Sequence, residues 1–116
     1  MRKGLLELCV LNTLAEKERY GYDLVKTLVD VPGLGVTEGT LYPLLSRLRV
    51  QGLVSTRLEE SVEGPARKYY CLTAEGRKQV QLMNSYFDTL NISVESLRKK
   101  KGDYDLVDSA SQRRNR

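Results

Sequence analysis

The sequence predicts a mainly α-helical fold with a two-stranded β-wing, and three observations predict it. Apolar residues recur at helical spacing in three blocks before Gly52. The period then drops to two: Val54, Thr56 and Leu58 alternate with Ser55, Arg57 and Glu59, and Tyr70 and Leu72 alternate with Tyr69 and Cys71. From Thr73 a helical pattern returns and is kept to about Lys101.

Composition narrows the functions open to such a fold. The chain has 116 residues, the length of one domain, and a formal net charge of +4, which permits a polyanionic partner. No apolar run approaches the ~20 residues that cross a bilayer. Glu7, Asn12 and Glu16 interrupt the N-terminal apolar stretch and no small-residue cleavage site follows, so a soluble, cytoplasmic protein without membrane contact is expected. There is no histidine, and the only cysteines are Cys9 and Cys71, each among apolar neighbours. Cys/His metal sites, histidine general bases and Ser-His-Asp triads are therefore excluded, and neither catalysis nor a metal or cofactor is expected.

Each element has its own justification. Gly4 to Glu16 carries two apolar stripes, Leu6, Val10 and Leu14 on one side and Leu8, Leu11 and Ala15 on the other. So much apolar circumference needs cover on more than one side, and a partner chain is the expected second cover, with Leu6 and Val10 in the contact. Lys17-Glu18-Arg19 reads as a polar break. Tyr20 to Val29 forms a second helix with Leu24, Val25 and Leu28 inward; Gly21, in its first turn, either permits a close helix crossing or is merely tolerated. Val31-Pro32-Gly33-Leu34-Gly35 is a turn.

In the third helix Leu41, Leu44, Leu45 and Leu48 make one apolar stripe. Gly39, Tyr42, Pro43, Ser46, Arg47 and Val50 lie opposite, Thr37 can cap the start and Gly52 can end it. Pro43 falls in the second turn, where a kink eased by Gly39 is expected. Two helices joined by a tight turn, the second with a groove-like face, make a helix-turn-helix. The hairpin, with Ser61-Val62-Glu63-Gly64-Pro65 as its turn, cannot stand alone in water and must lean on the helices, which completes a winged helix-turn-helix.

Thr73 can cap the long C-terminal helix. Its residues Val80, Met83, Phe87, Leu90, Val94 and Leu97 step by 3, 4, 3, 4, 3, the seam of a coiled coil. At 1.5 Å per residue this rod is ~40 Å long, more than the domain needs for its own core, so a second chain is expected on it. The expected organisation is a winged helix-turn-helix over 1–72, a dimerisation helix over 73–101 and a flexible polar tail over 102–116, in which Arg113, Arg114 and Arg116 are solvated or touch phosphates.

Gly21-Tyr22-Asp23-Leu24, Gly39-Thr40-Leu41-Tyr42-Pro43-Leu44-Leu45-Ser46-Arg47-Leu48, Gly52-Leu53-Val54, Arg67-Lys68-Tyr69-Tyr70-Cys71-Leu72-Thr73 and Glu75-Gly76-Arg77 together resemble the PadR-type transcriptional regulators. The resemblance spans roughly residues 5 to 100 and is carried most specifically by the Thr-Leu-Tyr-Pro and Arg-Lys-Tyr-Tyr-x-Leu-Thr blocks. It implies a winged-helix homodimer, usually a repressor and in some members relieved by phenolic acids or drug-like molecules, of the branch with a single C-terminal helix. Two departures limit it. Relatives that bind flat drugs use aromatic residues including tryptophan in the last helix, and this chain has no tryptophan; Tyr86 and Phe87 are the nearest candidates for a pore that takes a small aromatic effector. The wing also carries Glu59, Glu60 and Glu63, which repel phosphates.

On double-stranded DNA, base contacts are expected from Thr40, Tyr42, Ser46 and Arg47, and phosphate contacts from Arg49, Arg57, Arg67 and Lys68. Three or four phosphates per subunit predict a slope of log K against log salt of about −5 to −7 for a dimer. The competing class is a winged helix used as a protein-interaction scaffold without DNA binding.

Overall fold

The computed structural model describes residues 2–108, with side chains from 4 to 99. The elements follow in the order α1 (Arg2–Glu16), β1 (Arg19–Tyr20), α2 (Gly21–Val29), α3 (Glu38–Val50), β2 (Val54–Glu59), β3 (Arg67–Leu72) and α4 (Ala74–Asp108). They fall into two compact units, one ending at Met83 and the other beginning at Asn84, so α4 contributes to both.

The sheet has three strands, not two, in the order β1-β3-β2 and antiparallel throughout. Its extra strand is the supposed polar break: Arg19 pairs with Tyr70 and Tyr20 with Tyr69. A two-residue strand is too short to show alternation, so periodicity could not reveal it. It ties α1 and α2 to the wing, which therefore leans through backbone pairing as well as side chains.

The core of the first unit is built from Leu6, Leu8, Val10, Leu11 and Leu14 of α1, Leu24, Val25 and Leu28 of α2, and Leu41, Leu44, Leu45 and Leu48 of α3. Val36, Val54, Tyr70 and Val80 complete it. Both stripes of α1 are thus covered within one chain. Leu6 and Val10, expected at a subunit contact, are buried in the chain's own core, and so is Val80, with Met83 packed against it. Within the chain, α1 packs against α2 and β3, the cover that was assigned to a partner. Gly21 makes its close approach to the sheet: a Cβ there would meet the Tyr70 ring at 3.1 Å and the Lys68 carbonyl at 3.7 Å.

Helix ends follow local chemistry. After α3, the Gly52 N–H bonds Arg49 O at 3.0 Å and the Leu53 N–H bonds Leu48 O at 3.0 Å, a Schellman closure. It requires the left-handed backbone that Gly52 adopts at φ 80°. Thr37 occupies the N-cap of α3, but its hydroxyl makes no bond to the helix backbone and lies 3.4 Å from the Thr40 hydroxyl. Pro43 sits inside α3, which runs through it. Thr73 caps α4 as expected: Gly76 N–H donates to its Oγ1 at 2.9 Å, while that hydroxyl donates to Gly52 O at 2.7 Å. The end of α3 and the start of α4 thereby share one side chain. α4 runs past Gly102 to Asp108, beyond the expected end near Lys101; one glycine costs only ~1 kcal/mol, too little by itself to stop a helix. The expectation for the rest of the tail, with Arg113, Arg114 and Arg116, lies outside the described residues.

Candidate nucleic-acid interface

Leu41, Leu44, Leu45 and Leu48 are all buried, so they set the rotation of α3 about its axis. At about 100° per residue, Gly39, Pro43, Ser46 and Val50 then fall in the middle of the opposite face. All four are exposed. Tyr42 and Arg49 lie on one shoulder of that face, and Thr40 and Arg47 on the other.

The shoulders differ in their surroundings. The Tyr42 and Arg49 shoulder lies toward the sheet, where Tyr42 and Arg49 both act electrostatically on Tyr70. Burial, helped by the nearby Glu38 carboxylate, raises the Tyr42 phenol above its ordinary pKa, so it remains a neutral O–H that can donate to an acceptor. Burial raises Tyr70 likewise. Arg49 has no acidic partner within ion-pair distance among the described residues. On the other shoulder Arg47 faces α1, and its guanidinium is 3.5 Å from the Glu7 carboxylate. Both side chains are partly exposed, and the pair is loose.

The wing divides the remaining cations. Successive residues of a strand point to opposite faces, and residues directly opposite across strands share one. Tyr70 and Val54 are buried on the inner face, and Lys68, two residues from Tyr70 and opposite Leu58, belongs to that face. Arg67 and Arg57 belong to the outer face, with Tyr69 and Tyr20. There the Arg57 guanidinium lies 4.8 Å from the Tyr69 ring centroid and Arg67 4.8 Å from that of Tyr20. Arg57 is also held by Glu18, and by Glu59 at 3.0 Å; these hydrogen bonds raise its pKa further and keep it charged but occupied. Its partner Glu18 is far away in sequence, so no local signal could have identified it.

The eight residues expected on DNA are therefore not one surface. Tyr42, Ser46, Arg49 and Lys68 share the side that α3 and the inner wing face present, while Thr40 is exposed on the opposite shoulder. Arg47 leans to α1, and Arg57 and Arg67 lie on the outer sheet face. Val50, which has no polar group to mark it in the sequence, lies on the helix face and belongs to the first group. Of the residues expected at a subunit contact, Phe87, Leu90, Val94 and Leu97 are exposed along α4, as is Tyr86. Among the described residues no group of His, Cys, Asp or Glu could hold a metal ion, and no helix is long and apolar enough to cross a membrane.

Comparison with known proteins places this arrangement. A family model described as the transcriptional regulator PadR-like family matches residues 10–82. A crystal structure of a Streptococcus transcriptional regulator is 40% identical, covering 83% of this chain and 94% of that one with a TM-score of 0.74. A PadR-like transcriptional regulator from Bacillus cereus is 36% identical, with 82% and 92% covered and a TM-score of 0.74. A transcriptional regulator of Mycobacterium tuberculosis is 36% identical over 76 residues, 66% of this chain and 69% of its own length.

Proposed function

Since the chain belongs to the PadR-like family of transcriptional regulators, we propose that it is a cytoplasmic repressor that binds a palindromic DNA operator as a homodimer. The family regulates transcription and is not one of enzymes. The observation that carries the finer reading is the split of α3: four buried leucines hold it from behind and leave a complete, largely unoccupied face toward solvent. A helix so held can lie in a major groove with its orientation fixed in advance.

Thr40, Tyr42 and Ser46 meet base edges, and Arg49 and Lys68 meet the flanking phosphates. Arg47 serves first as a tie to α1, and Arg57 and Arg67 are spent on the outer sheet face. Two phosphate-binding cations per subunit give a dimer slope of about −4 in log K against log salt, shallower than the roughly −5 to −7 that three or four would give.

Pairing is assigned to Phe87, Leu90, Val94 and Leu97. These side chains continue the 3, 4, 3 spacing beyond the part of α4 that the first unit's core consumes, and they stay exposed in a single chain. Two-fold symmetry then places the half-sites about 34–36 Å apart, or a multiple of that. A dimer seated on a promoter blocks transcription. A flat aromatic effector held against Tyr86 and Phe87 between paired helices would relieve the block if it binds better to an arrangement whose half-site spacing does not fit. A mobility-shift titration with the DNA upstream of the chain's own coding region tests the reading. Specific retardation that Lys68→Ala weakens supports it; no retardation of any fragment leaves the scaffold reading.

A further inference from the structure

The middle of the α3 face is poor in donors. Gly39 has no side chain, Pro43 has neither a side-chain polar group nor an N–H, and Ser46 offers one short hydroxyl. The fourth residue, Val50, is 82% exposed, more than any other aliphatic residue of the first three helices. Its neighbours in sequence, Arg49 and Gln51, are both polar. A β-branched residue in the last turn of a solvated helix gains nothing from packing and has lower helix propensity than Lys, Glu or Gln would. The leucines behind fix its direction: it lies one turn beyond Ser46 on the line through Pro43. The long donors able to read guanine bidentately, Arg47 and Arg49, are displaced to the shoulders.

We propose that Val50 is a specificity-determining residue that selects thymine through its C5-methyl group. In the major groove that methyl is the only apolar feature of a base edge, and an exposed isopropyl group complements it. Cytosine at the same position presents hydrogen in place of the methyl, so the apolar contact is lost. This inference rests on the DNA-binding reading of α3 and names what one position of that helix recognises.

The test begins by selecting binding sites from random duplexes with the wild-type chain and with Val50→Ala. The wild type is expected to recover a motif with a strongly preferred thymine in each half-site, and Val50→Ala the same motif with that preference lost. Replacing that thymine by deoxyuridine removes only the methyl group. In one half-site this should weaken wild-type binding about fourfold, the equivalent of the ~0.8 kcal/mol of one buried methyl-sized group. It should leave Val50→Ala binding unchanged, which makes a double-mutant cycle between protein and DNA. Identical motifs for the two proteins, or equal deoxyuridine sensitivity in both, would overturn the proposal while DNA binding stands. Failure of the folded wild type to select any sequence would instead overturn the DNA-binding reading beneath it.

Discussion

Gly76→Ala should destabilise the chain although it replaces a glycine inside a helix, a change that elsewhere gains ~1 kcal/mol. Gly76 lies in the first turn of α4, against the segment that ends α3. A Cβ on it would overlap the backbone oxygen of Leu53 and stand 3.0 Å from the Leu53 carbonyl carbon and 2.8 Å from Leu72 Cδ1. The obstructing atoms are mostly backbone, so no rotamer change relieves the overlap. Leu53 O also accepts the Thr73 N–H at 3.1 Å, and the neighbouring Gly52 O accepts the Thr73 hydroxyl at 2.7 Å. Overpacking costs about 1–3 kcal/mol. Losing one of these bonds adds about 1 kcal/mol, and the gain in propensity offsets about as much. The net loss is therefore about 1–3 kcal/mol, or a fall in Tm of roughly 4–12 °C for a chain of this size. Urea or thermal unfolding followed by circular dichroism measures it. Gly4→Ala is the control, since a Cβ there meets nothing within 4 Å, and it should be neutral or slightly stabilising. Equal stability of Gly76→Ala and wild type would refute the close contact between the end of α3 and the start of α4.

Other expectations follow from the same geometry. Lys68→Ala should make the salt slope of operator binding shallower by about 2 for a dimer, whereas Arg57→Ala, on the outer face and already paired with Glu18 and Glu59, should leave it unchanged. Leu90→Glu places a charge in the exposed α4 stripe and should yield a folded monomer by sedimentation, with operator affinity greatly reduced. Arg47→Ala should cost less than about 1 kcal/mol in urea unfolding, as expected for a loose, partly exposed pair with Glu7. Burial raises both thiols, Cys9 and Cys71, above their ordinary value of 9.0. A raised pKa in the folded state means stability is full below pH 9.0 and declines as pH rises through the folded values. Chemical unfolding at pH 8 and pH 10 should show that decline, and Cys9→Ala/Cys71→Ala should reduce it.

Much of the fold was legible because its stabilising pattern is local. Leu41, Leu44, Leu45 and Leu48 announce one buried face by spacing alone. Gly52 and Thr73 announce a helix end and a helix start through backbone chemistry that needs no knowledge of the rest of the chain. Periodicity marks a face that must be covered and does not say by what. That is why Leu6, Val10 and Val80 were expected between subunits and lie instead in one chain's core. β1 escaped notice because two residues cannot display a period, and its partner strand is about fifty positions away. The candidate interface was legible on α3, where rotation follows from the leucines. It was less so on the wing: Arg67 and Lys68 adjoin in sequence and face opposite ways, and one of the two acidic partners of Arg57, Glu18, comes from the distant link between α1 and β1.

Sedimentation of the chain mixed with a duplex obtained by site selection addresses the central proposal most directly, since it counts protein copies on the DNA. The expected result is a complex of one duplex with two chains of 13.2 kDa each, formed without an appreciable one-chain species. A well-folded chain that sediments as a monomer and leaves every duplex free would contradict it.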